Sequence, residues 1–266
     1  MVISTKNNWT VEVFRKQKTK YFKLDYYFKA ENMKTIKLFT LLIFIAACVQ
    51  ATVANAGRQT RHITGFHGIS VSSGIDLYLT QKAVEEVAVE AESEDLDKII
   101  TEVEGGVLKI YIKEKSWFNM KWDSRPRKVY VSFKTLDKLD ASAGSDVVSE
   151  GRLKLDKLNL DASSGSDVKL ELEVNDLSVG SSSGSDISLK GTANTIQANA
   201  SSGSDINASE LQAKNCNASV SSGSDISVNV TEKLDASASS GGDISYSGNP
   251  NSKDINESSG GDVHVR

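Results

Sequence analysis

The hexapeptide Ser182-Ser183-Gly184-Ser185-Asp186-Ile187 is one of seven near-identical copies in the second half of the chain. Every copy keeps the Gly, the Asp and a following Val or Ile. The aspartates are separated by 21, 19, 19, 20, 18 and 19 residues. In chain order they are Asp146, Asp167, Asp186, Asp205, Asp225, Asp243 and Asp262. Spacing this regular is typical of a repeat fold in which each copy forms one structural unit.

The residues that flank the hexapeptide alternate between apolar and polar. Three residues after each motif Gly stands Val or Ile, such as Ile187, and five residues before it stands an aliphatic residue, such as Val179. Alternation with a period of two predicts strands on both sides of the hexapeptide, each with one buried face. Disordered Ser/Gly-rich linkers keep no such register, so the pattern favours a folded repeat over low-complexity disorder.

A unit of about 19 residues made of strands and turns predicts an all-β fold, a parallel β-helix (solenoid) with one repeat per coil. The unit is too short for a propeller blade and leaves no room for a crossover helix. Coils stack about 4.8 Å apart, so equivalent residues form ladders. A narrow core of small aliphatic residues explains why Tyr246 is the only aromatic residue after Phe133. Cys216 is predicted to fill a buried slot in one of these ladders.

The charges of the 266-residue chain divide near residue 56. Residues 1–56 hold nine Lys or Arg and three Asp or Glu, whereas residues 57–266 hold 22 Lys or Arg and 32 Asp or Glu. An acidic body is a poor electrostatic match for phosphate backbones, so the composition excludes nucleic acid as a partner. Two cysteines are too few to build a disulfide framework.

A secretory signal is predicted over residues 33–56. Met33 is followed by two lysines and by an apolar run over 38–47, which is the layout of such a signal. The run is shorter than the roughly 20 residues that a spanning helix needs, so no stable transmembrane span is expected in the mature protein. Because a signal of this type begins at the initiator Met, we interpret residues 1–32 as an over-extended start.

The sequence offers two alternative processing sites at the end of the signal. The small residues before Gly57 predict cleavage between Ala56 and Gly57 by ordinary signal peptidase. The alternative is Cys48, because Ile45-Ala46-Ala47-Cys48 resembles a bacterial lipobox and would make Cys48 a lipidated first residue. Both processing sites place the mature protein outside the cytoplasm, in the periplasm or at the cell surface and outer membrane.

Residues 57–140 depart from the repeat, and residues 141–266 hold the regular coils. Alternating segments at 76–80, 107–112 and 129–133 predict strands. We expect the first part to be β-rich, continuous with the coils, and to cap the N-terminal end of the solenoid. A cap is needed because an open solenoid end exposes an unpaired sheet edge.

An aromatic cluster lies within this first part. Trp117, Phe118 and Trp122 stand among lysines and arginines, which predicts an exposed loop. One interpretation is a binding surface that stacks on glycans or touches a membrane. The other is that the aromatic rings plug the end of the solenoid.

The seven aspartates are a second candidate site, because a parallel solenoid stacks them about 5 Å apart. Stacked carboxylates repel each other, so something must compensate. A row of Ca²⁺ sites with oxygen ligands is one interpretation. We favour a structural one, in which each Asp caps backbone N–H groups at a corner. The calcium-binding repeat places Gly-Gly-x-Gly-x-Asp about every nine residues, whereas this chain has one such Asp per coil.

The sequence also resembles a known family. A secretory signal, the segment Phe66-His67-Gly68-Ile69-Ser70-Val71-Ser72-Ser73-Gly74-Ile75-Asp76-Leu77-Tyr78-Leu79 and the later Ser-Gly-Ser-Asp repeats are similar to the auto-transporter adhesin head GIN domain of Bacteroidetes. Gly74-Ile75-Asp76 would be this chain's version of the Gly-Ile-Asn that names the domain. The resemblance covers about residues 60–266. It implies a right-handed, pectin-lyase-like β-helix at the cell envelope with an adhesive role, and it supplies no catalytic residues.

These observations predict an exported, non-enzymatic envelope protein of a Gram-negative bacterium. It would act as an adhesin-like or structural binding module without a cofactor, with a glycan or an envelope or host protein as its partner. The first alternative is a carbohydrate-active β-helix, a lyase or hydrolase, although the repeats contain no local cluster of carboxylates and bases. The second alternative is a calcium-dependent repeat protein.

Overall fold

Strands of successive repeats pair in parallel along the second half of the chain. The computed structural model describes residues 56–113 and 126–266, and in these two ranges all regular structure is β-strand. The strands are β1 (Ala56–Arg61), β2 (Gly68–Val71), β3 (Asp76–Gln81), β4 (Glu86–Glu92), β5 (Ile99–Glu104), β6 (Val107–Ile112), β7 (Lys128–Phe133), β8 (Lys138–Ala141), β9 (Asp146–Ala162), β10 (Asp167–Ser182), β11 (Asp186–Ser201), β12 (Asp205–Val220), β13 (Asp225–Ala238), β14 (Asp243–Ser247), β15 (Ser252–Glu257) and β16 (Asp262–Val265).

Strands β9 to β13 form the regular coils, each paired with the next. Equivalent residues lie side by side: Asp167 pairs with Asp186, and Leu170 with Leu189. In the last coils β14 and β16 continue one side of the stack, while β15 continues the other. The prediction of an all-β parallel solenoid with one repeat per coil is therefore confirmed.

Ladders of aliphatic side chains fill the interior. Buried and more exposed residues alternate along β10 as the sequence predicts, and the alternation is interrupted at the adjacent exposed pair Asn175 and Asp176, where the coil turns a corner. Cys216 is 3% exposed and stacks on Ile196. This confirms the predicted ladder slot, and burial raises the pKa of its thiol to about 12, so the thiol stays protonated and unreactive.

The N-terminal part is continuous with the coils but is not itself a regular coil stack. Strand β3 pairs in parallel with β9 and aligns Asp76 with Asp146. On the other side of β3 the sheet continues through β7, β4 and β1, and β4 is antiparallel to both of its neighbours. These antiparallel strands cover the edge that a stack of parallel coils would leave open.

Arg61 fastens the outermost strand, β1, to the segment that leads into β5. Its guanidinium donates hydrogen bonds to the carbonyl oxygens of Leu96 (2.7 Å) and Ile99 (2.6 Å) and to Oγ1 of Thr101 (2.9 Å). Partial burial lowers the pKa of Arg61, but a guanidinium remains charged in proteins. Three charge-assisted hydrogen bonds from one side chain therefore tie the cap together across about 40 residues of sequence.

The C-terminal coil has charged residues where other coils have apolar ones. Lys253 and Glu257 align with the buried Leu234 and Ala238 of the preceding coil. The Lys253 ammonium lies over the ring of Tyr246, 5.5 Å from its centroid. Glu257 accepts a hydrogen bond from the backbone N–H of Val263 at 2.9 Å. At this end of the core, charged side chains thus stand on both sides of the exposed Ile255, and charge is a known way of protecting an open sheet edge.

Gly191 occupies a coil corner that has no room for a side chain. Its φ is +116°, and a Cβ built on it would overlap the carbonyl oxygen of Leu172 in the preceding coil. Gly184, in the turn before the same strand, offers a contrast, because its φ is +69° and the space around its Cβ position is open. Gly191 therefore meets both requirements, a positive φ and a close approach between coils, whereas Gly184 meets only the first.

We expect Gly191→Ala to lower the free energy of unfolding by about 3 kcal/mol or more, because the backbones of two coils must move apart. Gly184→Ala should cost only about 1–2 kcal/mol, the penalty of a left-handed conformation. Urea denaturation of residues 57–266, followed by circular dichroism, measures both. If both variants lose the same free energy of unfolding, the close approach of the Leu172 carbonyl does not explain why residue 191 is glycine.

Candidate functional site

Each Ser-Gly-Ser-Asp corner is a tight turn organised by a buried hydroxyl. Ser183 and Gly184, the two central residues of one turn, have φ values of +56° and +69°, as in type I′ turns. Ser185 is fully buried. Its Oγ lies 2.8 Å from the carbonyl oxygen of Ser182 and 2.9 Å from that of Ala162, and it accepts the N–H of Ser182 at 3.1 Å. The hydroxyl therefore joins its own turn to the preceding coil.

The last two copies replace this serine with glycine and close the turn in another way. The N–H of Gly242 donates directly to the carbonyl oxygen of Ser239 at 3.0 Å, and the N–H of Gly261 donates to that of Ser258 at 2.9 Å. A backbone hydrogen bond thus takes the place of the serine hydroxyl. The serine ladder is structural, and its hydroxyls face the interior rather than a ligand.

The seven motif aspartates form a continuous exposed ladder, and Asp76 of β3 extends it by one. The carboxylate of Asp205 accepts the backbone N–H of Asp225 at 3.2 Å. Loss of solvation, followed by the neighbouring carboxylates of Asp205 and Asp167, raises the pKa of Asp186 above its ordinary value. The same causes raise the pKa values of Asp146 and Asp225. The ladder is therefore a row of mutually repelling charges.

The described residues give the calcium alternative no assembled site. Within 56–113 and 126–266, no three His, Cys, Asp or Glu side chains lie close enough together to hold one metal ion. The aspartates run in a single file, whereas Ca²⁺ takes six to eight oxygen ligands.

A polar groove of about 570 Å³ runs across the five coils β9 to β13 on another face of the solenoid. An amide ladder forms one side: Asn194 donates to Asn175 Oδ1 (2.8 Å), and Asn175 donates to Asp156 Oδ1 (2.7 Å). Thr192 and Gln212 lie in register on the other side. The groove is therefore lined by polar positions from five coils, which lie in register from β9 to β12, whereas the pairing of β12 with β13 is irregular here.

An alternating charge ladder lies beside this groove. Arg152 donates to Glu171 at 3.0 Å, and Lys190 lies 3.3 Å from the other oxygen of Glu171. The hydrogen bond from Lys190 is the main cause that lowers the pKa of Glu171, and that from Arg152 adds to it. Glu171 is thus held ionised, and this face is electrically balanced, unlike the aspartate ladder.

Sequence reasoning did not find the stacked tyrosines of the N-terminal part. The rings of Tyr78 and Tyr130 stack with their centroids 5.0 Å apart, and the Arg58 guanidinium lies over the Tyr130 ring at 4.8 Å. One face of each ring packs against the other ring, and Arg58 covers another face of the Tyr130 ring. We therefore assign this cluster to the cap rather than to a ligand-binding surface. The alternation around each Tyr, Leu-Tyr-Leu and Val-Tyr-Val, predicts a strand at each position but does not indicate that these two strands pair.

Several predicted positions lie outside the described residues. They are Trp117, Phe118 and Trp122 of the aromatic cluster and Cys48 of the alternative lipidation site, so both alternatives for each remain predictions. The predicted cleavage bond between Ala56 and Gly57 falls at the first residue of β1. In the described part of the chain, no helical segment could cross a bilayer.

The fold and these surfaces define a parallel β-solenoid with polar ladders on its outside. Residues 65–250 match the protein family described as "Putative auto-transporter adhesin, head GIN domain". The chain belongs to this family, as its motifs predicted. No protein with a curated description matches the sequence.

Solved structures from Bacteroidetes share the fold. A "putative adhesin" of Bacteroides fragilis is 22% identical, with a TM-score of 0.75 over 80% of this chain and 98% of that chain. A "putative lipid binding protein" of Parabacteroides distasonis is also 22% identical, with a TM-score of 0.64 over 80% and 97%. A "putative adhesin" of Parabacteroides merdae is 18% identical, with a TM-score of 0.64 over the same shares.

Removal of one charge from the aspartate ladder should stabilise the protein. The pKa of Asp186 is higher in the folded chain than in the unfolded chain, so folding favours protonation and stability falls as the pH rises through the folded value. We expect Asp186→Asn to raise the melting temperature by about 1–3 °C at pH 7 and low salt. The gain should shrink as the pH falls into the acidic range, because the wild-type carboxyl then takes up a proton and loses its charge.

The matched control is Asp176→Asn, an exposed position on the preceding coil that pairs with Lys157 and Thr195 instead of aspartates. This change should leave the melting temperature unchanged or lower it slightly. Differential scanning fluorimetry across pH and salt measures both variants. A loss of stability in Asp186→Asn at pH 7 would contradict repulsion along the ladder.

Proposed function

We propose that this protein is an exported, non-enzymatic, adhesin-like binding module of the bacterial cell envelope. The observation that carries this proposal is the polar groove, which crosses five coils and in which four of them, β9 to β12, present polar positions in register. A solenoid whose interior is filled by packed aliphatic ladders holds such positions at fixed spacing. Pre-organised groups lose little conformational entropy on binding, which suits a surface that must hold a partner.

Two features support binding over catalysis. Catalysis on polysaccharides needs a local pair of carboxylates, or a carboxylate with a base, placed in different environments. Three of the carboxylates with raised pKa values, those of Asp146, Asp186 and Asp225, repeat along one ladder in equivalent positions. A fourth, Asp161, lies off this ladder beside Asp140. The negative charge of Glu171, beside the groove, is balanced by the positive charges of Arg152 and Lys190. A polysaccharide lyase or hydrolase therefore stays the alternative, and calcium-dependent folding the weaker one.

Membership of the adhesin family supports partners outside the cell, a glycan or an envelope or host protein. The predicted signal over residues 33–56 supports export to the periplasm or the cell surface. The start of β1 at Ala56 supports cleavage at the predicted bond, because this cleavage leaves the folded unit intact apart from its first residue.

Export makes a direct prediction. The mature chain should begin at Gly57, because the small-x-small residues before it form the signal-peptidase site. N-terminal sequencing of the protein from a Bacteroidetes host, together with mass spectrometry, measures this. Cys48→Ala is the matched variant and should change neither the mature mass nor the location. A mature chain that starts at a lipid-modified Cys48 would contradict the cleavage site, and retention in the cytoplasm would contradict export.

The binding role predicts retention of a partner without turnover. Residues 57–266 should bind members of a glycan array or purified envelope fractions, measured by biolayer interferometry. The same mixtures should release no reducing ends or unsaturated sugars over a day. Turnover that is abolished by one carboxylate substitution would overturn the non-enzymatic role and favour the lyase or hydrolase.

A further inference from the structure

We propose that the polar groove binds one uncharged polysaccharide chain that lies along the solenoid axis, with about one sugar unit for each coil. This inference rests on the proposed binding function and names its ligand class. The groove crosses five coils, and neighbouring coils are about 4.8 Å apart. That spacing is close to the length of one pyranose unit in an extended chain, so a chain and the coils can stay in step over the whole groove.

The amide ladder supplies the chemistry that sugar hydroxyls require. A primary amide has two N–H donors and an oxygen with two lone pairs. Asn175 uses one donor toward Asp156 and one lone pair toward Asn194, which leaves one donor and one lone pair for a ligand. These ladder bonds also fix the orientation of the amide group. A hydroxyl group both donates and accepts, so it can satisfy both remaining positions.

The groove is polar but carries little net charge. The side chains of Lys154 and Glu173 form an ion pair at 3.2 Å. The other charged side chains in the lining are Lys214, Asp156 and Glu232. One lysine against two carboxylates gives a slight negative excess, which disfavours sulfated or uronic-acid polymers. The remaining polar lining, Thr192, Thr231, Asn175, Asn194 and Gln212, consists of hydroxyls and amides, which favours neutral sugars.

Among the residues that the structure describes, the groove lining contains no aromatic ring, so these residues give a sugar unit no stacking energy and each unit contributes weakly. Affinity must then come from the number of units bound at once, as in other multivalent contacts. The expected signature is a dependence on chain length. Affinity should increase about tenfold or more between two and five sugar units and stay level beyond five, because the groove offers five positions.

The experiment titrates residues 57–266 with linear neutral oligosaccharides of glucose, xylose and mannose, from two to eight units long, by calorimetry and NMR. The test variant is Thr192→Tyr, which fills the groove from an exposed position. The matched control is Thr195→Tyr, an exposed threonine three residues further along the same strand and outside the groove lining. Melting temperatures check that both variants fold.

We expect at least one sugar series to bind with the stated length dependence. Thr192→Tyr should weaken it about tenfold or more, and Thr195→Tyr should change it less than about twofold. Gln212→Ala, which removes an amide without filling space, should weaken binding about threefold to tenfold. Together these results would support the groove as a site for a neutral chain.

Other outcomes separate this inference from the proposed function. Neutral binding that Thr192→Tyr leaves unchanged would place the site elsewhere and overturn the inference alone. Preference for sulfated or uronic-acid chains, or for a purified envelope protein over every sugar, would overturn the ligand class but leave the binding role. Failure to bind any glycan or envelope fraction would overturn both.

Discussion

Every coil of this protein must place most of its residues directly against their equivalents in the next coil. This constraint follows from in-register parallel pairing, in which Asp167 lies beside Asp186 and Leu177 beside Ile196. A side chain that is too large for one slot disturbs two neighbours, so the core is restricted to aliphatic residues of modest size. At the corners the same constraint requires a buried hydroxyl or a glycine where coils approach most closely. The exposed surface inherits this periodicity, because its side chains are held by the same backbone pairing.

The periodic part of the fold could be predicted from the sequence, because in-register stacking requires equivalent residues to recur at a regular spacing along the chain. The hexapeptide and its flanking alternation located the strands, the buried slot of Cys216 and the stacking of the aspartates. The antiparallel pairing of β4 could not be predicted in the same way, since alternation at Val87 and Val89 indicates a strand but not its direction. Tyr78 and Tyr130 are also distant in sequence, and they meet because β7 pairs with β3.

The groove was beyond sequence reasoning for a different reason. Thr192, Gln212 and Asn175 do not belong to the repeated hexapeptide, and their residue types vary from coil to coil. Their alignment depends on register shifts such as the one between Ser188 and Lys190, which the motif spacing alone does not locate. A variable position on a rigid repeat is therefore where a ligand-binding surface can diverge while the core stays the same. The alternating ladder of Arg152, Glu171 and Lys190 adds specificity, because opposite charges favour one register over a shifted one.

The charged side chains of β15 affect whether another parallel strand can be added to this end of the stack. A stack of in-register parallel coils offers the same kind of edge as a growing amyloid fibril, where each new layer adds to identical side chains. If apolar residues occupied the positions of Lys253 and Glu257, a second molecule could continue the stack. A pairing copy would instead have to bury an ammonium and a carboxylate. Lys253 and Glu257 therefore disfavour continuation of the parallel stack past β15.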